Sequence, residues 1–425
     1  VDTIFALSSG SPPAAIAVIR ISGPLAPQAA LRIAGDLPAP RRASLRSLTD
    51  KTGALLDAAL VLHFPASSSV TGEELVEFHA HGGRAVVRAI LSELAAIEGL
   101  REAQPGEFTR RAFENGRMDL TEAEGLADLL EAETELQRRS ALAVAGGSIK
   151  RQVEAWRERL VDLSARAEAA IDYVGDEAEV SGAEQGIAAE ALALADEFSD
   201  WLDQPRSELL KDGVRVVLAG PPNAGKSSLL NALAGVDRAI VTPVAGTTRD
   251  VIEVPLSLDG IPFLLVDTAG LRDGDDEVER IGVRLAEQQV ERADILVWLG
   301  DPSDAPSHPR LVLVRSKSDL PEHKAAAPSE LAVSSVSGQG LAGLKRFLVS
   351  LARGLLPEPD TNALNLRQAQ ALAEARDALS QVVPDDIVLT ADALRYARVA
   401  LDRLTGRAGV EDVLDALFGR FCLGK

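Results

Sequence analysis

The chain has 425 residues, 46% of them hydrophobic, with a formal net charge of −20; this length predicts two or three domains with real cores. The acidic balance argues against broad non-specific binding of nucleic acid, whose phosphates would be repelled, so any such contact needs a local basic patch or a partner. One cysteine, Cys422, rules out an internal disulfide and fits a cytoplasmic compartment, and the lack of a spanning apolar run or signal peptide predicts a soluble chain with no membrane segment.

In chain order, Ile16 to Ile21 reads as a strand ended by Gly23-Pro24. Pro27 to Ala34 reads as a helix, with Pro27 suited to a first helical position. Ala58 to Phe64 is a second strand. Thr71 to His79 mixes apolar and acidic residues before His81-Gly82-Gly83, and a helix follows from Ala85 to Ala96. The alternation predicts a small α/β or α+β domain over residues 1–116. His79 and His81 beside a Gly-Gly turn are expected to hydrogen-bond a loop rather than bind metal, because no third ligand lies at zinc spacing.

Helical text follows over 117–212. Thr121-Glu-Ala-Glu124 has a capping-box pattern. Val153, Trp156, Leu160, Leu163, Ala167 and Ala170 recur at intervals of three and four, giving one apolar stripe suited to a bundle. The charges between them, from Lys150 to Arg159, read as a solvated face, with a basic RNA surface as the minor alternative. Pro205 and Lys211-Asp212-Gly213 mark a boundary.

Residues 213–357 carry the strongest signal. An apolar strand, Val214 to Ala219, runs into Gly220-Pro-Pro-Asn-Ala-Gly-Lys-Ser-Ser228 and then a helix. A strand, a Gly-x-x-x-x-Gly-Lys-Ser loop and a helix make a phosphate cradle, with backbone N–H groups and the helix dipole facing the anion. Asn223, Ala224, Gly225 and Ser228 fall in or beside it, Lys226 is expected to reach the β- and γ-phosphates, and Ser227 the Mg²⁺ ion. Gly246-Thr247-Thr248-Arg-Asp250 precedes a strand, Val251 to Leu258, with Thr248 as the second Mg²⁺ ligand. Asp259-Gly260 is a hairpin signal. The next strand, Ile261 to Val266, delivers Asp267-Thr268-Ala269-Gly270, where an Asp can hold Mg²⁺ through water and a Gly N–H can sense a γ-phosphate. Asp294 to Gly300 and Leu311 to Val314 are further strands. The latter ends in Ser316-Lys317-Ser318-Asp319, and Leu331 to Val333 ends in Ser334-Ser335-Val336. Asp319 can accept both N1–H and N2–H of guanine, donors that adenine does not offer there, so the set reads as GTP-binding. Ser316 stands where an Asn is usual, and Ser335 where an Ala is usual.

Asn223 has a further reading. Its amide oxygen, phosphate oxygens and backbone carbonyls are the hard ligands that suit a monovalent cation. The loop from Thr242 to Thr247 could supply those carbonyls. No Gln follows the Asp-Thr-Ala-Gly segment, where Leu271 stands, so another group must position an attacking water. Pro357-Glu-Pro359 closes this region, and helical text returns over 358–425, from Leu366 to Val382 and Ala391 to Leu404. Helices on both sides predict an inserted nucleotide domain. The chain ends Phe421-Cys-Leu-Gly-Lys425, which is a poor prenylation box.

Taken together the chain resembles the MnmE (TrmE) family of tRNA-modification GTPases. The resemblance runs from Asp2-Thr-Ile4 and Ile19-Arg-Ile-Ser-Gly-Pro24 through Thr71-Gly-Glu-Glu74, His81-Gly-Gly83, Pro105-Gly-Glu-Phe-Thr-Arg-Arg-Ala112 and Asp119-Leu-Thr-Glu122. It continues through the phosphate loop, Gly246 to Asp250, Asp267-Thr-Ala-Gly-Leu-Arg272, Glu277-Val-Glu-Arg-Ile-Gly282 and the final Cys-Leu-Gly-Lys. It implies a multidomain α/β architecture: an N-terminal α+β folate-binding and dimerisation domain, a helical bundle, and a Ras-like P-loop GTPase domain inserted in it. It implies a cytoplasmic homodimer working with a flavoprotein of the MnmG (GidA) type to install an aminomethyl-type group at C5 of the wobble uridine of tRNA. The one-carbon donor would be a 5-formyl-tetrahydrofolate-type folate bound by Arg20, Glu77, Arg117 and Lys425. The resemblance assigns water activation to Glu279, K⁺ to Asn223, Thr242, Val244 and Thr247, and a catalytic role to Cys422. Pro12-Pro13-Ala-Ala15 departs from the family's Pro-Gly-Arg-Gly-Gly. The alternative is a GTPase switch for ribosome or RNA assembly, with the same nucleotide motifs and no modification chemistry; such proteins usually append a basic RNA-binding module.

Overall fold

The computed structural model describes residues 2–172, 177–236, 252–267, 287–320, 330–357, 362–409, 411–421 and 424. The chain forms two compact units, residues 1–127 with 402–425, and residues 128–401.

The first unit is built on a six-stranded sheet of order β3-β4-β5-β2-β1-β6. Its strands are β1 (Thr3–Leu7), β2 (Ile16–Ser22), β3 (Ser44–Thr49), β4 (Leu55–Phe64), β5 (Leu75–His81) and β6 (Leu100–Glu102). The sequence reading found β2 and β4 and not the other four. Helices α1 (Ala26–Ala34) and α2 (Arg84–Ala95) cover one face, where Ile19, Ile21, Val61, Val76 and Phe78 meet Ala29, Ile33, Ile90 and Leu94. These strands alternate in and out, the period-2 pattern of a half-buried sheet. On the opposite face Ile4, Ala6 and Leu75 pack with Phe108 of α3 (Glu107–Glu114). Farther along that face Leu45 pairs with Leu60, and Leu60 with His79. Leu45 stays 66% exposed and Ile16 60%.

Helix α4 (Leu120–Glu131) corrects one expectation. The capping box is Asp119-Leu-Thr-Glu122, two residues earlier than Thr121 to Glu124. The Asp119 carboxylate accepts from Glu122 N–H at 2.9 Å, and Glu122 accepts from Asp119 N–H at 2.8 Å. Both tetrads fit the pattern; Asp119 precedes the first buried residue, Leu120, and so takes the cap.

Arg111 of α3 is the polar hub of this unit. It is 7% exposed and donates to Asp2 at 2.7 Å, Glu107 at 3.0 Å and Glu73 at 3.1 Å. Burial pushes the Glu107 carboxyl up, but hydrogen bonds from Arg101, Gln104 N–H and Arg111 outweigh it and hold it below its ordinary value. A carboxyl depressed in the fold contributes stability that is complete above its unfolded pKa and lost as pH falls through the lowered value. Arg111→Met leaves the largely buried Glu73 without its cationic partner, while Glu107 and Asp2 keep Arg101, and is expected to cost about 3–5 kcal/mol. Urea unfolding checks this, and a midpoint equal to that of the unmodified chain would refute it.

In the second unit, α5 (Glu135–Ala145), α6 (Ser148–Asp172) and α7 (Glu177–Leu202) are followed by the short α8 (Glu208–Asp212). The α6 stripe is buried from Ile149 through Val153, Trp156, Leu160, Leu163 and Ala167. Trp156 meets Phe198 and Trp201 edge-on, with ring centroids 4.9 and 5.0 Å apart, and donates to Glu197 at 2.7 Å. Of the charges expected on a solvated face, Arg159 bridges to Glu197 of α7; farther along α6, Arg166 pairs with Glu190.

The second sheet has the order β12-β11-β10-β7-β9-β8. Its strands are β7 (Val214–Ala219), β8 (Ile252–Leu258), β9 (Ile261–Asp267), β10 (Ile295–Trp298), β11 (Leu311–Arg315) and β12 (Leu331–Ala332). Every pairing is parallel except β8 with β9. These two are joined by Asp259 and Gly260, both at positive φ, the turn the Asp-Gly pair predicts. Helices α9 (Lys226–Val236) and α10 (Leu341–Arg353) pack on this sheet through Leu229, Leu233, Leu344 and Leu348. Beyond it, α11 (Leu366–Leu379) packs against α7, so helices before and after the sheet meet.

Candidate functional site

In an open parallel sheet, ligands bind at the carboxyl ends of the strands where the order reverses. Here that place is the end of β7, which lies between β9 and β10. The phosphate-type loop of residues 220–225 leaves β7 at this point and feeds α9. Gly220 has φ +145, and a Cβ on it would fall 2.9 Å from Leu299 O, so only glycine fits. Asn223, at φ +60, forms the crown of the loop, and its side chain makes no hydrogen bond to a described residue. Lys226 is buried under the loop, its Nζ donating to Gly220 O at 2.9 Å and Pro221 O at 3.0 Å.

Two strands bring distant residues onto this loop. Ser227 Oγ donates to Asp267 Oδ2 at 2.5 Å, joining the first turn of α9 to the end of β9. From the end of β11, Ser316 Oγ donates to Ala224 O at 2.5 Å and Lys317 Nζ to Asn223 O at 2.8 Å. A cavity of about 230 Å³ lies beside them, walled by Gly225, Ser228, Ser316, Lys317, Asp319, Ser335 and Val336. Ser334 is fully buried, and its Oγ accepts from Ser337 N–H at 3.0 Å, which shapes the turn carrying Ser335 and Val336. Thr242, Val244, Gly246, Thr247, Thr248, Thr268, Ala269, Gly270 and Glu279 lie outside the described residues.

In the first unit Arg20 and Glu77 are cross-strand partners on β2 and β5, and Arg20 Nε donates to Glu77 at 2.8 Å. His79 lies two residues along the same face and bonds the other oxygen of Glu77 at 3.0 Å. Burial pushes the Glu77 carboxyl up, but the bonds from His79 and Arg20 outweigh it and keep it ionised below its usual range. His79 was absent from the sequence-based site; the period-2 spacing of Glu77 and His79 on a strand is the signal that could have found it. His81 bonds Asp57 at 2.8 Å, and no metal-holding group of acids, histidines or cysteine occurs among the described residues. Arg117 donates to Ala66 O. Cys422 and Lys425 lie outside the described residues; Gly424 between them is buried against the end of β1. Among the described residues no helix is long and apolar enough to cross a membrane.

The strand order, the lysine-bearing loop and the Asp behind its serine define a P-loop GTPase of Ras-like topology, set among helices and accompanied by an α+β unit. Residues 3–117 match the family model described as the N-terminus of the GTP-binding protein TrmE, and residues 120–422 the MnmE helical domain. A "tRNA modification GTPase MnmE" of Rhizorhabdus wittichii is 55% identical over 429 residues, covering 100% of this chain and 97% of its own. Proteins of the same description from Erythrobacter litoralis and Novosphingobium aromaticivorans are 52% and 51% identical, each covering 100% of both chains. The chain belongs to the MnmE (TrmE) family of tRNA modification GTPases.

Proposed function

We propose that this GTPase acts with an FAD-containing protein of the MnmG (GidA) type to add an aminomethyl-type group at C5 of the wobble uridine of tRNA, using a folate one-carbon donor. The observation that carries the reading is a pair of prepared sites, one in each unit. The first is the loop in which Ser227, Asp267 and the cavity beside Asp319 converge. The second is the Arg20–Glu77–His79 cluster. Lys226 would take the β- and γ-phosphates and Asp319 the N1 and N2 edge of guanine. The hydroxyl–carboxylate pair of Ser227 and Asp267 offers the hard oxygens Mg²⁺ prefers, and Ser227 with Thr248 would hold the ion. Bound Mg²⁺ would offset charge on the β- and γ-phosphates.

For the folate, Arg20, Glu77, Arg117 and Lys425 are the proposed ligands, and the ionised Glu77 supports this because a carboxylate can accept from the paired N–H edge of a pterin. The unpacked Ile16, Leu45 and Leu60 on the same sheet face support a homodimer formed through this unit. The lone cysteine is the support for a cytoplasmic location. Incubating the chain, its flavoprotein partner, tRNA, GTP, the labelled folate, an amine to supply the nitrogen and a reductant for the flavin tests the reading. Label in the wobble uridine is expected, and its absence with GTP hydrolysis intact would favour the assembly-switch alternative.

Potassium is part of the same proposal. The Asn223 side chain is unspent within the described structure and sits on the crown of the loop, supporting its use as a cation ligand with Thr242, Val244 and Thr247. Hydrolysis is expected to be fast in KCl and slow in NaCl at fixed ionic strength, since the smaller ion would draw the ligands inward. Asn223→Ala should erase the difference while leaving nucleotide binding largely intact. Equal rates in both salts for the unmodified chain would reject the cation site.

A further inference from the structure

We propose that Ser316 braces the phosphate loop and leaves N7 of the base unread, so that this chain selects guanine through its N1 and N2 edge; the proposal rests on the guanine-nucleotide reading of the cavity. A serine hydroxyl has one proton to donate. That of Ser316 is committed to Ala224 O, 2.5 Å away and 92 residues earlier in the chain. Lys317, held at φ +57, spends a donor on Asn223 O. The loop that lines the base cavity is therefore tied to two successive carbonyls of the phosphate loop. What Ser316 Oγ still offers the cavity is a lone pair.

The direction of the base follows from its two ends. The glycosidic bond must lead toward the phosphates, hence toward the loop of residues 220–225. Asp319 takes the N1 and N2 edge at the other end. N7 belongs to the five-membered ring that carries the glycosidic bond, so it falls on the side where Ser316 lies 3.7 Å from the place a Cβ on Gly225 would occupy. N7 is an acceptor. An acceptor facing a lone pair gains nothing, and replacing N7 by C–H loses nothing. An amide at this position would have two N–H donors, one for Ala224 O and one for N7.

Competition of GTP and 7-deaza-GTP against a fluorescent GDP analogue on the full chain tests this. The unmodified chain is expected to bind the two within about threefold, less than one neutral hydrogen bond would give at its upper range. Ser316→Asn should gain a preference for GTP of about five- to tenfold by adding that bond. Ser316→Ala should weaken both nucleotides alike, because the brace is lost while N7 stays unread; a purely structural role would not move their ratio in the Asn variant. A preference for GTP beyond threefold in the unmodified chain overturns the proposal and points to another donor on the wall, such as Ser228. Failure of the fluorescent analogue to bind at all overturns the guanine reading beneath it, and the proposal with it.

Discussion

Deletion of Cys422 to Lys425 is expected to reduce tRNA modification to background while sparing GTP hydrolysis. Gly424 is buried at φ +91, and a Cβ there would stand 2.2 Å from Leu7 O and 2.8 Å from Leu7 C. Gly424 therefore lies directly on the last residue of β1. Leu7 pairs with Ile19, and its neighbour Ala6 with Arg20, which binds Glu77. Lys425 follows Gly424 by one residue, carrying an ammonium and, if the chain ends there, a carboxylate. If Lys425 serves the Arg20–Glu77 cluster as proposed, its placement would depend on that backbone contact as well as on its own charge. Gly424→Ala should reproduce much of the deletion, because the contact is with backbone and neither side can yield cheaply. Modification of tRNA by the purified variants, assayed beside GTP turnover, decides this. Full modification by the truncated chain would leave the tail without a part in the reaction.

Glu279→Ala is expected to leave GTP affinity nearly unchanged and to cut hydrolysis by roughly 10²-fold, the usual scale of a lost general base. The described part of the site can bind nucleotide, but its groups are otherwise engaged. Lys226 is turned to loop carbonyls, and Asp267 holds Ser227. Leu271, which occupies the place of a water-orienting Gln, is apolar. Glu279 lies twelve residues after Asp267, in the segment that follows β9. Glu277→Ala serves as the control for a general effect of acidic charge, and should hydrolyse GTP at the unmodified rate. Single-turnover kinetics at saturating GTP separate the chemical step from binding. Unchanged turnover in the Glu279 variant would remove it from the reaction.

Both expectations concern residues read from local motifs, and the structure shows where local reading succeeds. The phosphate loop was legible because its glycines, lysine and serine fall between positions 220 and 227 and their conformation is set within that short span. The α6 stripe was legible because helical periodicity writes burial directly into spacing. The Asp259-Gly260 hairpin was legible because positive φ at two adjacent positions selects those residues. The capping box lies two residues before the expected one because two overlapping tetrads fit the same rule, and only packing of Leu120 separates them.

Other features depended on which distant segments became neighbours. The strands β1, β3, β5 and β6 are short or mixed in polarity, and their pairing is decided by a shared hydrophobic face rather than by their own pattern. The Arg111 hub gathers acids from Asp2, Glu73 and Glu107, and His79 joins Arg20 through Glu77 only because β2 and β5 take one register among several. In the sequence Ser316 is only a serine where an Asn is usual; its bond to a carbonyl 92 residues away makes it a brace. The sequence by itself determined the family, the nucleotide chemistry and the helical stripes, because these rest on residue type at short spacing. The tertiary structure alone decided which polar groups share a hydrogen bond, because a side chain's last proton goes to whichever acceptor the folded sheet brings within reach.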